Sequence, residues 1–273
     1  MRRLSISAAW DESKAIFAHD GRLLITVALA LVAFPSAISA LINPAGIGNA
    51  SAPLWVDLVT FVVTLLTLAG QLALIRLALG PSITVGRAIS HGFSRLPAYC
   101  LVIVMLIVAL FLLAIPCALM LAATGVPLEA RPLKLTPAAT AVMLVYFGIA
   151  VYLAVRLILA SAVASAEDVG PIAIVKRSWR LTAGNWWPLF GFLVLFVIAA
   201  LVLLMAIGSA AGVIVGLAFG PLQPMSAGAL IVALLQAVVS ATVTALFAVM
   251  LARIYLQLAG HADTHSGVPR SGS

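Results

Sequence analysis

Charge is the property that this sequence most conspicuously lacks. Only 8% of its 273 residues are Asp, Glu, Lys or Arg, whereas 64% are hydrophobic, and the mean hydropathy is +1.23. Soluble domains carry about 25% charged and about 45–50% apolar residues. The composition therefore excludes a free-standing soluble enzyme, a nucleic-acid-binding domain and a disordered tail, despite a formal net charge of +7. Fifteen Lys and Arg in so apolar a chain favour a membrane protein whose basic residues mark one side of the bilayer.

Cysteines and catalytic motifs are also scarce. Cys100 and Cys117 lie in one apolar run with no neighbouring histidine, and their spacing excludes a disulfide framework or a metal site. The sequence contains no nucleophile elbow, P-loop, dinucleotide-binding glycine pattern or zinc-protease motif. The acidic pair Glu167 and Asp168 is predicted to be solvated in a loop. We therefore expect a non-enzymatic protein without a cofactor or a metal.

Six apolar runs are long enough to cross a membrane, which takes about twenty residues. The first four cover residues 23–42, 58–79, 98–122 and 138–164. The last two lie in the uncharged stretch 181–252, which a Gly-Pro break at 220–224 divides. The predicted fold is an all-α polytopic membrane protein with six transmembrane helices in one domain, residues 1–262, followed by a flexible tail at 263–273.

The basic residues are sorted between the two sides of these spans. Thirteen of the 15 fall in segments that lie on the same side as the N-terminus, and only Arg131 and Lys134 fall on the other side. Because Lys and Arg are enriched in cytoplasmic segments, both termini are predicted to be cytoplasmic.

A cleaved signal peptide is the alternative for the first span. Residues 23–34 and the small residues at 35–40 resemble its apolar core and cleavage site. The preceding segment, however, is long and contains Asp11, Glu12 and Asp20, and the apolar run continues past the small residues. These features favour an uncleaved first span.

Two segments that are ninety residues apart align without gaps. Residues 80–88 and 170–178 share Gly, Pro, Val and Arg at equivalent positions, and the proline suits a first helical position. Each segment begins an amphipathic helical pattern. The predicted apolar faces are Val85, Ile89, Phe93 and Leu96 in the first copy, and Ile172, Val175, Trp179 and Trp186 in the second. Residues 6–17 repeat the pattern, which predicts three pseudo-repeats of an interfacial amphipathic helix plus a helical hairpin, at about 1–79, 80–164 and 165–260.

An arginine recurs near the end of each returning span, at Arg76, Arg156 and Arg253. Together with the basic residues of the amphipathic segments, these arginines predict a surface that binds an anionic headgroup. The segment residues are Arg87, Lys176, Arg177 and Arg180. In the alternative interpretation, each arginine only reaches the interface, complements the C-terminus of its helix and sets the topology.

Five polar residues share one face of the second span, at alternating spacings of three and four. They are Asp57, Thr60, Thr64, Thr67 and Gln71. The stripe predicts a polar cavity, and three residues of the sixth span at helical spacing could face it, namely Gln236, Ser240 and Thr244. The alternative is that these side chains hold helices together.

A glycine occurs at every fourth position of the fifth span, at Gly208, Gly212, Gly216 and Gly220. Small residues on one face allow two helix backbones to approach closely. The ladder predicts helix packing, either within the chain or at a dimer seam, and the sequence leaves both open.

The string VKRSWRLTAGNWWP at residues 175–188, followed by a long apolar helix, resembles the bacterial glycerophosphoryl diester phosphodiesterase membrane-domain family and its YciC-like relatives. Arg156 and the segment 167–171 fit the same pattern. The resemblance implies a multi-span inner-membrane module, which in some relatives is joined to a soluble phosphodiesterase domain. That catalytic domain requires a barrel with clustered metal ligands, so the resemblance implies no such activity here.

The predicted function is that of a non-enzymatic inner-membrane protein that associates with anionic phospholipid and assists membrane or envelope-lipid organisation. The alternative is a small transporter or channel for a lipid-derived or other small solute, which would use the polar stripe of the second span. Membrane lipids are the predicted partners and nucleic acid is not. A homo-oligomer or a partner membrane protein is left open.

Overall fold

The computed structural model describes residues 5–42, 53–80, 83–123, 136–220 and 226–265. In these ranges all regular structure is helical. It comprises a five-residue π-helical segment, Leu29–Ala33, and nine α-helices. The α-helices are α1 (Ile6–Ala28), α2 (Phe34–Ile42), α3 (Leu54–Leu79), α4 (Val85–Ala123), α5 (Pro137–Leu157), α6 (Ala160–Ala166), α7 (Pro171–Thr182), α8 (Trp186–Phe219) and α9 (Ala227–His265).

Six helical segments of the described chain are long and apolar enough to cross a membrane. They are Ile6–Ser39, Leu54–Leu79, Val85–Ala123, Pro137–Ala166, Trp186–Ala218 and Ala227–Gly260. Each contains one of the apolar runs found in the sequence, so the prediction of an all-α, six-span, multi-pass membrane protein is confirmed.

The six spans bury their side chains unequally. Within the most apolar 18 residues of each span, the buried share is 44% in the first span and 39% in the second, but only 6% in the third and in the fifth. The core is built from α1, α3 and α9, with Leu24, Leu72 and Leu251 among its fully buried side chains. The spans formed by α4, α5 and α8 instead expose large apolar residues, such as Phe111, Phe147 and Leu195. Because an apolar surface of this size is unfavourable in water, these three spans present a surface suited to the interior of a membrane.

The three predicted amphipathic segments are built differently. In the third unit α7 is a separate helix, and Gly184, at a φ of +83°, turns the chain before α8 begins. In the second unit α4 continues from Val85 through Pro97 to Ala123, and in the first unit the helix runs on from Ile6 to Ile42. Only the third unit therefore has the separate helix that the repeat predicts. A glycine in the left-handed region ends a helix, whereas Pro97 removes one N–H and leaves the helix continuous.

The two aligned segments nevertheless bury equivalent positions. Ala88 and Ser178, which align at the ninety-residue offset, are both fully buried, and one turn later Gly92 and Thr182 are buried as well. Gly92 packs directly on the backbone of α3. The Ser178 hydroxyl donates to the carbonyl oxygen of Arg156 in α5 at 2.8 Å. Each segment therefore packs against the span that precedes it, which supports the repeat.

The buried face of α7 differs from the predicted one. Ile174, Ser178 and Leu181 are buried, whereas Ile172 and Trp179 of the predicted apolar stripe are 59% and 38% exposed. The true inner face is thus shifted by about one residue, or 100° around the helix. This inner face can include the Ser178 hydroxyl, because the hydroxyl donates a hydrogen bond to the Arg156 carbonyl oxygen and is therefore satisfied when buried.

Candidate functional site

The link between α6 and α7 is held by side chains from three helices. Glu167 accepts hydrogen bonds from Arg177 Nε of α7 and from the Tyr255 hydroxyl of α9, each at 2.8 Å. The neighbouring carboxylate of Asp168 pairs with Arg95 of α4. The expectation that both acidic residues are merely solvated is therefore wrong. The side chain of Glu167 is only 26% exposed, and Asp168, although exposed, has an arginine partner.

The last turn of α6 receives two more side chains. The carbonyl oxygen of Ser165 accepts from Arg76 Nη1 at 3.2 Å and lies 3.0 Å from His91 Nε2, which requires the Nε2–H tautomer. Carbonyls in the last turn of a helix have no partner within that helix. Arg76 and His91 therefore cap α6 from α3 and α4. The buried Ser165 hydroxyl adds a hydrogen bond of 3.1 Å to the Leu72 carbonyl oxygen.

Arg156 reaches the end of another helix. Its Nη1 lies 3.4 Å from the carbonyl oxygen of Trp179, in the last turn of α7, and its Nε and Nη2 donate to the Tyr152 hydroxyl at 3.0 and 2.9 Å. The guanidinium carbon is 5.1 Å from the ring centroids of both Tyr152 and Trp179, within cation–π range. Trp186, at the start of α8, stacks on Tyr152 with 6.0 Å between centroids. Arg156 thus joins α5 to α7 beside the beginning of α8.

The seven basic residues of the predicted headgroup surface do not meet at one point. Arg76 and Arg156 bind the ends of two different helices, and Arg177 is paired with Glu167. Arg253 is partly buried, and its Nε has no hydrogen-bond partner among the residues that the structure describes. The exposed members of the set are Arg87, Lys176 and Arg180. The alternative in which arginines complement helix C-termini fits Arg76 and Arg156, although the helix ends belong to neighbouring helices.

The outward face of α7 combines two basic and two apolar side chains. Ile172, Lys176, Trp179 and Arg180 are all exposed, and their spacing places them within one side of the helix. Arg177, between them in sequence, points inward to Glu167. A helix that presents tryptophan and basic residues together at the end of a span is typical of the headgroup region of a bilayer.

The polar stripe of the second span is satisfied within its own helix. Thr60, Thr64 and Thr67 each donate to the carbonyl oxygen four residues earlier, at 2.8, 2.8 and 2.9 Å. Such hydroxyls need neither water nor a partner helix. Asp57 is exposed in the first turn of α3, where a carboxylate complements the helix N-terminus, and Gln71 is partly buried. These contacts give the transporter alternative no support.

Gln236 of the sixth span does not face the second span as expected. Its Nε2 donates to the Leu204 carbonyl oxygen of α8 at 3.2 Å. Its Oε1 lies close to Gly208, only 3.0 Å from the position that a Cβ on this glycine would occupy. The expectation is wrong because Gly208, without a side chain, lets the carboxamide reach the backbone of α8.

The rest of the glycine ladder is less closely packed. A Cβ added at Gly216 or Gly220 would meet no described atom within 4 Å, and Gly212 is partly buried. Close packing on α9 is therefore seen at Gly208. A dimer seam along the remaining glycines stays a prediction.

Sequence reasoning missed three residues that bind the end of α6 and its link to α7, namely His91, Arg95 and Tyr255. One signal was available. Glu167 and Asp168 are two carboxylates in a segment whose other charged residues are all basic, and isolated carboxylates among arginines commonly form ion pairs. Within the described ranges, no group of three or more His, Cys, Asp or Glu is arranged to hold a metal ion.

The comparisons with known proteins assign a family. Neither the curated proteins nor the solved structures contain a match to this chain. A family model described as "Domain of unknown function (DUF7847)" matches residues 12–258, which include parts of all six spans and the whole link between α6 and α7. Because this match covers well over half of the sequence, the chain belongs to the DUF7847 family.

Proposed function

We propose that this protein is a non-enzymatic component of the bacterial inner membrane that associates with anionic phospholipid headgroups and assists membrane or envelope-lipid organisation. The observation that carries the proposal is the outward face of α7. There Lys176 and Arg180 are exposed beside Ile172 and Trp179, at a junction between two spans. A basic residue near an anionic membrane surface contributes about 1 kcal/mol of attraction.

The contrast with Arg177 supports this assignment. Arg177 has an internal carboxylate partner, so its charge is used within the protein. Lys176 and Arg180, its neighbours on the same helix, point outward, where an anionic headgroup can approach them. Their aliphatic stems and the exposed Trp179 ring suit the boundary between acyl chains and headgroups.

The proposed orientation places both termini and α7 on the cytoplasmic side. It rests on the 13 to 2 distribution of Lys and Arg between the two sides of the spans. A reporter fused after Ser273 is expected to show activity on the cytoplasmic side of the membrane. Activity only outside the cytoplasm would contradict this orientation. The resemblance of residues 175–188 to phosphodiesterase membrane domains supports the same class of multi-span, lipid-embedded module.

Native mass spectrometry of the detergent-purified protein tests the lipid preference. The wild-type chain is expected to retain phosphatidylglycerol in preference to phosphatidylethanolamine. The double variant Lys176→Gln/Arg180→Gln should lower that preference several-fold, because it removes two attractive charges.

The matched control is Arg131→Gln/Lys134→Gln, which removes the same charge from the sequence between α4 and α5, predicted to lie on the opposite side of the membrane. It should leave the preference near the wild-type value. Equal preferences in the wild type and in both variants would overturn the proposal.

A further inference from the structure

The corner where α5, α7 and α8 meet contains hydrogen-bond donors without a partner in the described chain. Arg156, Tyr152 and Trp186 gather there, and each of them carries at least one N–H or O–H group. Arg156 engages the Tyr152 hydroxyl oxygen and the Trp179 carbonyl oxygen, and the latter also accepts from the Thr182 hydroxyl. Donors that keep free capacity beside a guanidinium charge are suited to an oxyanion.

The guanidinium group of Arg156 keeps part of its binding capacity. A guanidinium has five N–H donors. Three are used, by Nε and Nη2 on Tyr152 and by Nη1 on Trp179, which leaves one N–H on each terminal nitrogen without a partner in the described chain. N–H groups on the two terminal nitrogens of a guanidinium can act as a fork that binds a phosphate with two parallel hydrogen bonds. The flanking rings of Tyr152 and Trp179 hold this fork in place, so little ordering is required when an anion binds.

Trp186 supplies the second donor. Its indole Nε1 is buried and has no hydrogen-bond partner among the described residues, although its ring is fixed by stacking on Tyr152 and, at 5.0 Å between centroids, on Phe190. A buried indole N–H without a partner is unfavourable, and native structures usually satisfy it. An acceptor seated in this corner would remove that cost.

We propose that Arg156 and Trp186 form a binding site for one phosphate group, with the guanidinium fork and the indole N–H as its donors. The chemistry required is that of a phosphate oxyanion, carried either by a phospholipid headgroup or by free phosphate. Assignment to a phospholipid rests on the proposed function, whereas the phosphate site itself does not. The site is distinct from the general attraction of Lys176 and Arg180, because it uses a buried donor and a fixed geometry.

The indole N–H resonance of Trp186 reports directly on this site. The protein is prepared with isotope-labelled tryptophan in a maltoside detergent, and its five indole signals are recorded by NMR, with Trp186→Phe identifying the signal of Trp186. Three ligands are titrated separately: dihexanoyl phosphatidylglycerol, inorganic phosphate and dihexanoylglycerol, which has no phosphate.

The expected result is a saturable shift of the Trp186 signal with phosphatidylglycerol and none with dihexanoylglycerol. If inorganic phosphate gives the same shift at equal concentration, the phosphate site is supported and its ligand is the free anion. The absence of a shift with both phosphate-containing ligands, or an equal shift with dihexanoylglycerol, would overturn the proposal.

Two substitutions test the donors. Arg156→Lys keeps the positive charge but loses the fork, and should weaken phosphatidylglycerol binding at least about tenfold. Trp186→Phe keeps an aromatic ring for the stack on Tyr152 and Phe190 and should weaken lipid retention in native mass spectrometry by a similar factor. Trp187→Phe, at an exposed neighbouring tryptophan, is the matched control and should bind as the wild type does.

Thermal unfolding of each variant in the same detergent separates misfolding from a binding loss. A folded Arg156→Lys or Trp186→Phe protein that binds like the wild type would contradict the site. The outcome is also distinguishable from that of the headgroup proposal. Lys176→Gln/Arg180→Gln should lower the preference for anionic lipid and leave the Trp186 shift in place. If the double variant loses the preference but Trp186 shows no shift in the wild type or in any variant, the phosphate site alone is refuted.

Discussion

Gly92 provides the sharpest test of how α3 and α4 pack. A Cβ at this position would lie 2.6 Å from the Ala69 carbonyl oxygen, 3.2 Å from the Ala73 nitrogen and 3.3 Å from the Ala73 Cβ. Ala69 and Ala73 are themselves buried, and two of these three atoms are backbone atoms that have no rotamer to adopt. In Gly92→Ala the two helices must therefore separate by several tenths of an ångström along the contact that places Arg76 and His91 beside the end of α6.

The expected magnitude combines two opposing effects. Inserting a methyl group into a tightly packed contact costs about 1–3 kcal/mol. Replacing glycine by alanine inside a helix returns about 0.5–1 kcal/mol, because alanine loses less backbone entropy on folding. Gly92→Ala should therefore lower the free energy of unfolding by about 1 kcal/mol, and by no more than about 2.5 kcal/mol. In Gly86→Ala, a variant of the same helix, the added Cβ would have no described neighbouring atom within 4 Å. This variant should instead stabilise the protein by about 0.5–1 kcal/mol.

Unfolding of both variants in mixed micelles, with increasing sodium dodecyl sulfate, measures this difference. A loss of stability in Gly92→Ala together with a gain in Gly86→Ala is the expected pair of results. If Gly92→Ala were as stable as Gly86→Ala, the close approach of α3 and α4 would be refuted, and with it the packing that brings Arg76 and His91 to the end of α6.

Two further predictions concern the polar contacts around α7. Ser178→Ala should lower the free energy of unfolding by about 1 kcal/mol, since the buried hydroxyl donates to the Arg156 carbonyl oxygen; thermal unfolding checks this, with the exposed Ser90→Ala as a control that should change little. Tyr255→Phe and Glu167→Gln should each destabilise the protein by about 1 kcal/mol, and the double variant should lose less than the sum, because the two groups share one hydrogen bond. Strict additivity in this double-mutant cycle would mean that the two side chains do not interact.

The features that the sequence predicts well are those encoded locally. The six spans are apolar runs of membrane-crossing length. The hydrophobicity of each run depends only on its own residues and not on the spans that pack against it. The repeat is encoded in the same way. Its identities at residues 80–88 and 170–178 align Ala88 with Ser178, and these two residues occupy equivalent buried positions.

The inner face of α7 was not predictable by the same reasoning. In water, the apolar side of a helix is the buried side, so periodicity marks it. In the proposed position of α7 at the edge of a bilayer, the exposed Ile172 and Trp179 would meet lipid without penalty. Ser178 and Thr182 turn inward because neighbouring carbonyls accept their hydroxyl protons. Apolar periodicity therefore does not distinguish the protein interior from the lipid.

The partners of the charged residues were also beyond the sequence. Arg76 binds a carbonyl 89 positions away, and Glu167 and Tyr255 are 88 positions apart. Such contacts depend on which spans are neighbours, and hydropathy carries no information about neighbours. The recurrence of arginine at Arg76 and Arg156 was visible, but its use in capping the ends of α6 and α7 became apparent only from the packing.

The association of spin-labelled lipids with the reconstituted protein tests the proposed function most directly. Electron paramagnetic resonance gives the fraction of each labelled lipid that is immobilised by the protein, and hence a relative association constant for phosphatidylglycerol over phosphatidylcholine. We predict a constant above one at low salt. The constant should fall as ionic strength rises, because added salt screens exposed charges such as Lys176 and Arg180. It should also fall in the double variant Lys176→Gln/Arg180→Gln. A constant of one for the wild type, or a value that neither salt nor the double substitution changes, would contradict headgroup association through α7.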